Sequence, residues 1–195
     1  MKPRTAVIER TTTETSIRVS LSLDRPAAPS VATTIPFMDH MLSLFASHAR
    51  FGLKITATGD THIDDHHLVE DIGIALGQAL DRALGDKKGI SRYGSFLLPM
   101  DEALAYIALD LSGRPFLSYD VPFSPRRTGF DFDLVQEFMA ALATNARMTL
   151  HIRMIKGRNN HHIAEALFKG LGRALAQAVA VDRRQAGIPS TKGIL

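Results

Sequence analysis

The chain contains no cysteine, which excludes disulfides, thiolate metal sites and a cysteine nucleophile. It also lacks any apolar run close to the roughly 20 residues that span a bilayer. The first residues, Met-Lys-Pro-Arg-Thr, have no apolar signal core, so a soluble, cytoplasmic protein is the expectation. Charge of one sign is not concentrated either: 23 Lys and Arg against 20 Asp and Glu leave +3, dispersed along the chain, with no basic stripe for nucleic acid. A small anionic ligand is compatible with that balance. What is present suffices for a core. The 195 residues are 45% hydrophobic and include 10 Phe and 7 Met, which excludes disorder and favours one domain, or two small halves sharing a core.

Histidine is distributed unusually. Of 8 copies, four form the adjacent pairs His66-His67 and His161-His162, each followed three residues later by Glu70 or Glu165. The two segments lie at an offset of 95, and Gly77, Ala79, Leu80 and Ala83 then match Gly172, Ala174, Leu175 and Ala178. Upstream, Phe45-Ala46-Ser47-His48-Ala49-Arg50 matches Leu142-Ala143-Thr144-Asn145-Ala146-Arg147 at an offset of 97, and Glu14 with Val19, Leu21 and Leu23 matches Glu102 with Ile107, Leu109 and Leu111 at 88. The chain reads as duplicated: a single domain, 1–195, of two repeats at about 1–95 and 96–195.

Each repeat has a readable pattern. Val19, Leu21 and Leu23, like Ile107, Leu109 and Leu111, alternate as one buried face of a strand. Pro36 suits a helix start, with Phe37, Met41, Leu44 and Phe45 at helical spacing; Leu134, Phe138, Met139 and Leu142 do the same in the second repeat. Strands over Phe51 to Thr58 and Met148 to Ile155 follow, then helices carrying Leu68, Ile72, Leu76 and Leu80, and Leu167, Leu171 and Leu175. Gly85 and Gly187 suit helix exits or turns. The fold class predicted is α+β, with duplicated strand–helix–strand–helix halves and helices packed on one face of a mixed or antiparallel sheet.

A helix that starts at a His pair puts the Glu one turn away, which is metal-ligand spacing. The bland alternative is a pair of solvated helix-start histidines with a capping glutamate; its repetition at corresponding places argues against it. Imidazole and carboxylate without thiolate suit Mn, Fe, Co, Ni or Zn. Adjacent helical residues point about 100° apart, so two ions drawing on both repeats, or on neighbouring subunits, are expected. His40 lies over Glu137 at the offset of 97, which nominates both as ligands. His40 also admits a buried hydrogen-bonded role, and Glu137 that of an exposed helix acid. His151 is read as a structural or supporting polar residue, and His48 and His62 as surface or supporting ones.

With these residues in hand, the sequence resembles the imidazoleglycerol-phosphate dehydratase family. The resemblance rests on Phe37-Met38-Asp39-His40-Met41-Leu42, the run from Asp60 through His66-His67 to Glu70-Asp71, Leu111-Ser112-Gly113-Arg114-Pro115, the run from Gly157 through His161-His162 to Glu165-Ala166, and Pro189-Ser190-Thr191-Lys192-Gly193. It implies two Mn²⁺ ions per active site and a cage of twenty-four identical subunits with sites between subunits. Implied metal ligands are His40, His66, His67, Glu70, His161, His162 and Glu165, with Glu137 where many members carry His. Leu44 stands where many members carry Gln, and the loop from Asp24 to Ser30 is Pro- and Ala-rich where many carry glycines. The implied reaction removes water from a diol phosphate to give a ketone, through a metal-bound imidazolate and a diazafulvene-like intermediate. Glu14 matches the acid/base glutamate. Substrate contacts are implied for Glu14, His40, His66, Arg92, Arg114, His162, Lys169, Ser190 and Lys192. Two other classes compete: a metal-storage or metal-stapled structural protein, and a dinuclear phosphohydrolase whose ions activate water.

Overall fold

The computed structural model describes residues 3–125, 129–185 and 187–193. Each half runs strand, strand, strand, helix, strand, helix. In the first these are β1 (Thr5–Thr11), β2 (Thr15–Ser22), β3 (Ser30–Ala32), α1 (Pro36–Ala49), β4 (Gly52–Gly59) and α2 (His66–Leu84). In the second they are β5 (Tyr93–Met100), β6 (Ala103–Asp110), β7 (Phe116–Asp120), α3 (Asp133–Asn145), β8 (Thr149–Lys156) and α4 (Asn160–Ala178). Two mixed four-stranded sheets result, ordered β1-β2-β4-β3 and β5-β6-β8-β7, in which only the β3–β4 and β7–β8 pairings are parallel.

The strands predicted from the sequence are β2, β4, β6 and β8, the inner strands of the two sheets. Four more, β1, β3, β5 and β7, sit at sheet edges and carry weaker patterns: β3 is three residues long, and β5 contains a glycine and a proline. Gly85 caps α2 with a φ of 57°, as its position suggests. Gly187 does not end a helix: α4 stops at Ala178, and Gly187 lies beyond it with its carbonyl accepting from the Gly89 amide at 3.0 Å.

Each sheet turns one face to the helices. Ile17, Val19 and Leu21 of β2 and Ala105, Ile107 and Leu109 of β6 are buried. Helix α2 packs on β1 and β2, and α4 on β5 and β6, while the shorter helices cross between halves: α1 lies on α4, and α3 on α2. Two glycines permit the crossing. A Cβ at Gly172 would come 2.6 Å from the Phe45 carbonyl, and one at Gly77 would come 2.8 Å from that of Leu142. Both crossings run parallel and in matching register, so the repeat offsets recur in three dimensions. The site positions therefore lie at helix contacts that join the two halves.

Candidate active site

Helix α4 starts with Asn159 as its cap, the side chain accepting from the His161 amide at 2.9 Å. That start aims His161 at α1, and the crossing brings His40 to meet it. His40 Nε2 and His161 Nε2 both donate to Glu165 Oε1, at 3.1 and 3.0 Å, and the three ligand-type atoms lie within 4.8 Å of one another. Lys169 Nζ holds the other oxygen of Glu165 at 2.5 Å. Burial disfavours the charge on Glu165, but the Lys169 ammonium and the two imidazoles hold its carboxyl down at about 2. A buried, ionised carboxylate facing two imidazole Nε2 atoms is a donor set that fits a borderline divalent cation. One ligand comes from the first half and two from the second.

At the corresponding crossing of α3 and α2, the repeat offsets set Glu137 and Glu70 in the places of His40 and Glu165. His66 Nε2 lies 4.0 Å from Glu70 Oε2, and His66 lines a cavity of about 300 Å³ with Leu134, one turn from Glu137 on α3. Glu137 itself is half-buried and pairs with no group among the described residues. Leu44, one turn after His40, packs on the core and offers no polar group.

The second histidine of each pair turns away from the first, the rings standing at 84° in one pair and 88° in the other. His67 Nδ1 bonds Asp60 Oδ2 at 3.0 Å, with Glu14 Oε2 at 3.7 Å, and these three form a second group of clustered ligand-type atoms among the described residues. His162 Nδ1 bonds Glu102 Oε2 at 2.6 Å, with Asp101 at 3.7 Å from Nε2. The Asp60 bond, with Glu14 and other acids adding to it, raises the pKa of His67, and the Glu102 bond raises that of His162. Glu102 is held down at about 2 by His162 and by the Asn159 and Arg158 amides. With Nδ1 engaged, each ring presents Nε2 outward. His162 lines an open cavity of about 670 Å³ with Glu102, Arg158 and Asn160.

The cations lie elsewhere. Arg92 clasps Asp110 through Nε at 2.6 Å and Nη2 at 2.9 Å, and Nη1 donates to the Pro189 carbonyl at 2.8 Å, next to Ser190. Arg114 reaches Asp110 at only 3.8 Å and its side chain is 70% exposed. Lys192 is exposed and its amide bonds Ser190 Oγ at 3.2 Å. The Arg92 amide bonds the Ala178 carbonyl, the last residue of α4, at 2.9 Å. His162 and Ala178 are sixteen residues apart on that helix, about 24 Å at 1.5 Å per residue. Of Arg92, Arg114, Lys169, Ser190 and Lys192 among the implied substrate contacts, Lys169 alone sits at the histidine end.

Two residues of this arrangement escape sequence reasoning. Asp60 appears there only as part of a motif, and Glu102 only as the match of Glu14. The repeat was the signal for Glu102, since it sets Glu14 over Glu102 and His67 over His162; nothing in the pattern points to Asp60. An aromatic wall also emerges: Phe37 stacks on Phe130 at 4.6 Å and meets His161 edge-on at 5.6 Å.

Fold and site together define a duplicated α+β protein in which each half carries a histidine–carboxylate cluster, one of them built across both halves. The model of the family "Imidazoleglycerol-phosphate dehydratase" matches residues 33–175. The protein of that name from Endomicrobium trichonymphae is 63% identical over 195 residues, covering 100% of both chains. That of Moorella thermoacetica is 56% identical over 193 residues, covering 98% of each. Among solved structures, IGPD from Pyrococcus furiosus superposes with a TM-score of 0.85 at 41% identity, covering 96% of this chain and 100% of its own. The chain belongs to the imidazoleglycerol-phosphate dehydratase family.

Proposed function

We propose that the chain converts D-erythro-imidazoleglycerol phosphate to imidazole acetol phosphate and water in histidine biosynthesis, using two Mn²⁺ ions per active site. The observation that carries this reading is the convergence of His40, His161 and Glu165 from two halves of a family member. His40, His66, His67, Glu70, Glu137, His161, His162 and Glu165 are the residues that would hold the ions. When bound, the ions supply the positive charge that lets the imidazole ring of the substrate act as an electron reservoir, which the reaction needs because no carbonyl flanks the carbon that loses hydrogen.

Glu14 moves the protons. Its side chain is half-exposed and stands 3.7 Å from His67. Its carboxyl can give a proton to the departing hydroxyl, which leaves as water, and take one from the neighbouring carbon to form the enol of the ketone. Arg114, Arg92, Ser190 and Lys192 supply donors for the phosphate, Arg114 with the most accessible guanidinium fork. Lys169 holds Glu165 ionised.

A five-membered ring bearing a three-carbon phosphate is far shorter than the 24 Å between the two ends of α4. This separation supports an active site that takes its metal end from one chain and its phosphate end from another, in a homo-oligomer such as the twenty-four-subunit cage. The outer faces of the sheets support assembly too: Leu97, Tyr106, Phe116 and Ile155 are exposed on the second sheet, where the first presents Ser16, Arg18, Lys54 and Thr56. Two inactive variants, His161→Asn and Arg114→Ala, test the arrangement when dissociated, mixed in equal amounts and reassembled below the KM for substrate. About a quarter of wild-type turnover should return, because random pairing joins intact ends in that share of heterologous interfaces. No recovery on co-assembly would contradict the shared site.

A further inference from the structure

The duplication sets Glu14 over Glu102 and His67 over His162, yet the two halves orient their second histidine differently. In the second half Glu102 Oε2 accepts a hydrogen bond from His162 Nδ1 at 2.6 Å, and Glu102 Oε1 is fixed by the Arg158 and Asn159 amides at 3.2 and 2.8 Å. In the first half Glu14 stands off at 3.7 Å from His67 Nδ1, and Asp60 takes the bond at 3.0 Å. At the offset of 97 the residue corresponding to Asp60 is Gly157, where an added Cβ would come 2.7 Å from the Ile163 side chain. One half has the carboxylate at the end of its strand and the other has it in its hairpin.

The turn carrying Glu14 is secured without His67. Thr12 Oγ1 accepts from the Glu14 and Thr15 amides at 3.1 and 3.0 Å. Thr15 Oγ1 donates to Asp71 Oδ2 at 2.5 Å, and Arg10 Nε donates to Asp71 Oδ1 at 2.9 Å. The matching positions of the second half, Leu98, Ala103 and Ala166, are apolar and buried. A polar clamp therefore ties the Glu14 hairpin to α2 in one half only. The Glu14 side chain remains 51% exposed against 27% for Glu102.

We infer that Asp60 and Glu102 are positioning residues that fix the Nδ1-protonated tautomers of His67 and His162, and that Asp60, by taking the bond its half would otherwise draw from Glu14, leaves that carboxylate free. The second clause rests on the acid/base reading of Glu14. A carboxylate on Nδ1 turns the Nε2 lone pair outward and makes it a better ligand. Asp60 Oδ1 is buried without a partner among the described residues, so His67 is the only side chain to which Asp60 hydrogen-bonds. Truncating Asp60 thus unpairs no other side chain.

Titration of metal-stripped full-length protein with Mn²⁺, followed by the electron paramagnetic resonance of the free ion, tests this directly. Asp60→Ala and Glu102→Ala should each weaken Mn²⁺ binding about 10- to 100-fold, the usual effect of losing a group that orients a histidine ligand. Asp60→Asn and Glu102→Gln, which keep an oxygen facing Nδ1, should recover most of that loss, and Glu14→Gln should bind Mn²⁺ as the wild type does. Wild-type binding by both alanine variants would overturn the positioning role. Weakening by Glu14→Gln equal to that of Asp60→Ala would overturn the release of Glu14. Metal binding is read without turnover, so either result stands apart from failure of the dehydratase reading.

Discussion

Glu14→Gln is expected to lower kcat by about two to four orders of magnitude, the range typical of a lost general acid or base, with Mn²⁺ content and KM little changed. The amide has the size and hydrogen-bonding shape of the acid and lacks only the transferable proton. Nothing in the surrounding structure depends on that proton. The hairpin is held through the Glu14 backbone amide and Thr12, and the half-exposed side chain makes no hydrogen bond among the described residues, approaching His67 only to 3.7 Å. Steady-state kinetics on the metal-loaded variant, beside metal analysis of the same sample, checks the prediction. Full activity would remove Glu14 from the chemistry.

Glu165→Gln is expected to abolish one metal site and to destabilise the chain. Three donors converge on this carboxylate: His40, His161 and Lys169. An amide accepts through one oxygen only and would turn its own N–H groups toward either the imidazoles or the ammonium. The Lys169 and Glu165 side chains are 17% and 10% exposed, so the variant leaves an ammonium largely buried without its counter-charge. Breaking such a pair costs about 3–5 kcal/mol. Glu70→Gln makes the informative contrast, since Glu70 is 47% exposed and its one ion pair among the described residues is the 4.0 Å approach of His66. Metal analysis should find about one Mn²⁺ fewer per chain in either variant, with two metal centres shared between the halves. Thermal unfolding should fall markedly for Glu165→Gln and little for Glu70→Gln. Unchanged metal content in Glu165→Gln would move the ion away from the His40 cluster.

Much of this was legible because the chain is two copies of one unit. The offsets of 95 and 97 locate both histidine pairs and select His40 and Glu137 from among many polar helix residues. A repeat states which positions correspond; it does not state which of them touch. That α1 crosses to α4, and not to α2 of its own half, is set by backbone approach at Gly77 and Gly172, a packing fact that periodicity does not encode. The edge strands β1, β3, β5 and β7 were illegible for a different reason: being short or half-exposed, they need no sustained alternation. Arg92 shows the same limit at the level of a single side chain. The family resemblance implies a substrate contact for it, and the structure shows three of its N–H groups already donated to Asp110 and Pro189. Asp60 likewise becomes visible only when the ring nitrogen it faces is placed.

Turnover of imidazoleglycerol phosphate by purified protein, stripped of metal and then titrated with Mn²⁺ while the ketone product is followed, tests the proposed dehydration most directly. Activity should be absent in the stripped protein and appear with Mn²⁺, saturating at two ions per site. A folded, Mn²⁺-loaded protein that forms no ketone would contradict the dehydratase reading and favour a structural or phosphohydrolase role for the same histidine–carboxylate centres.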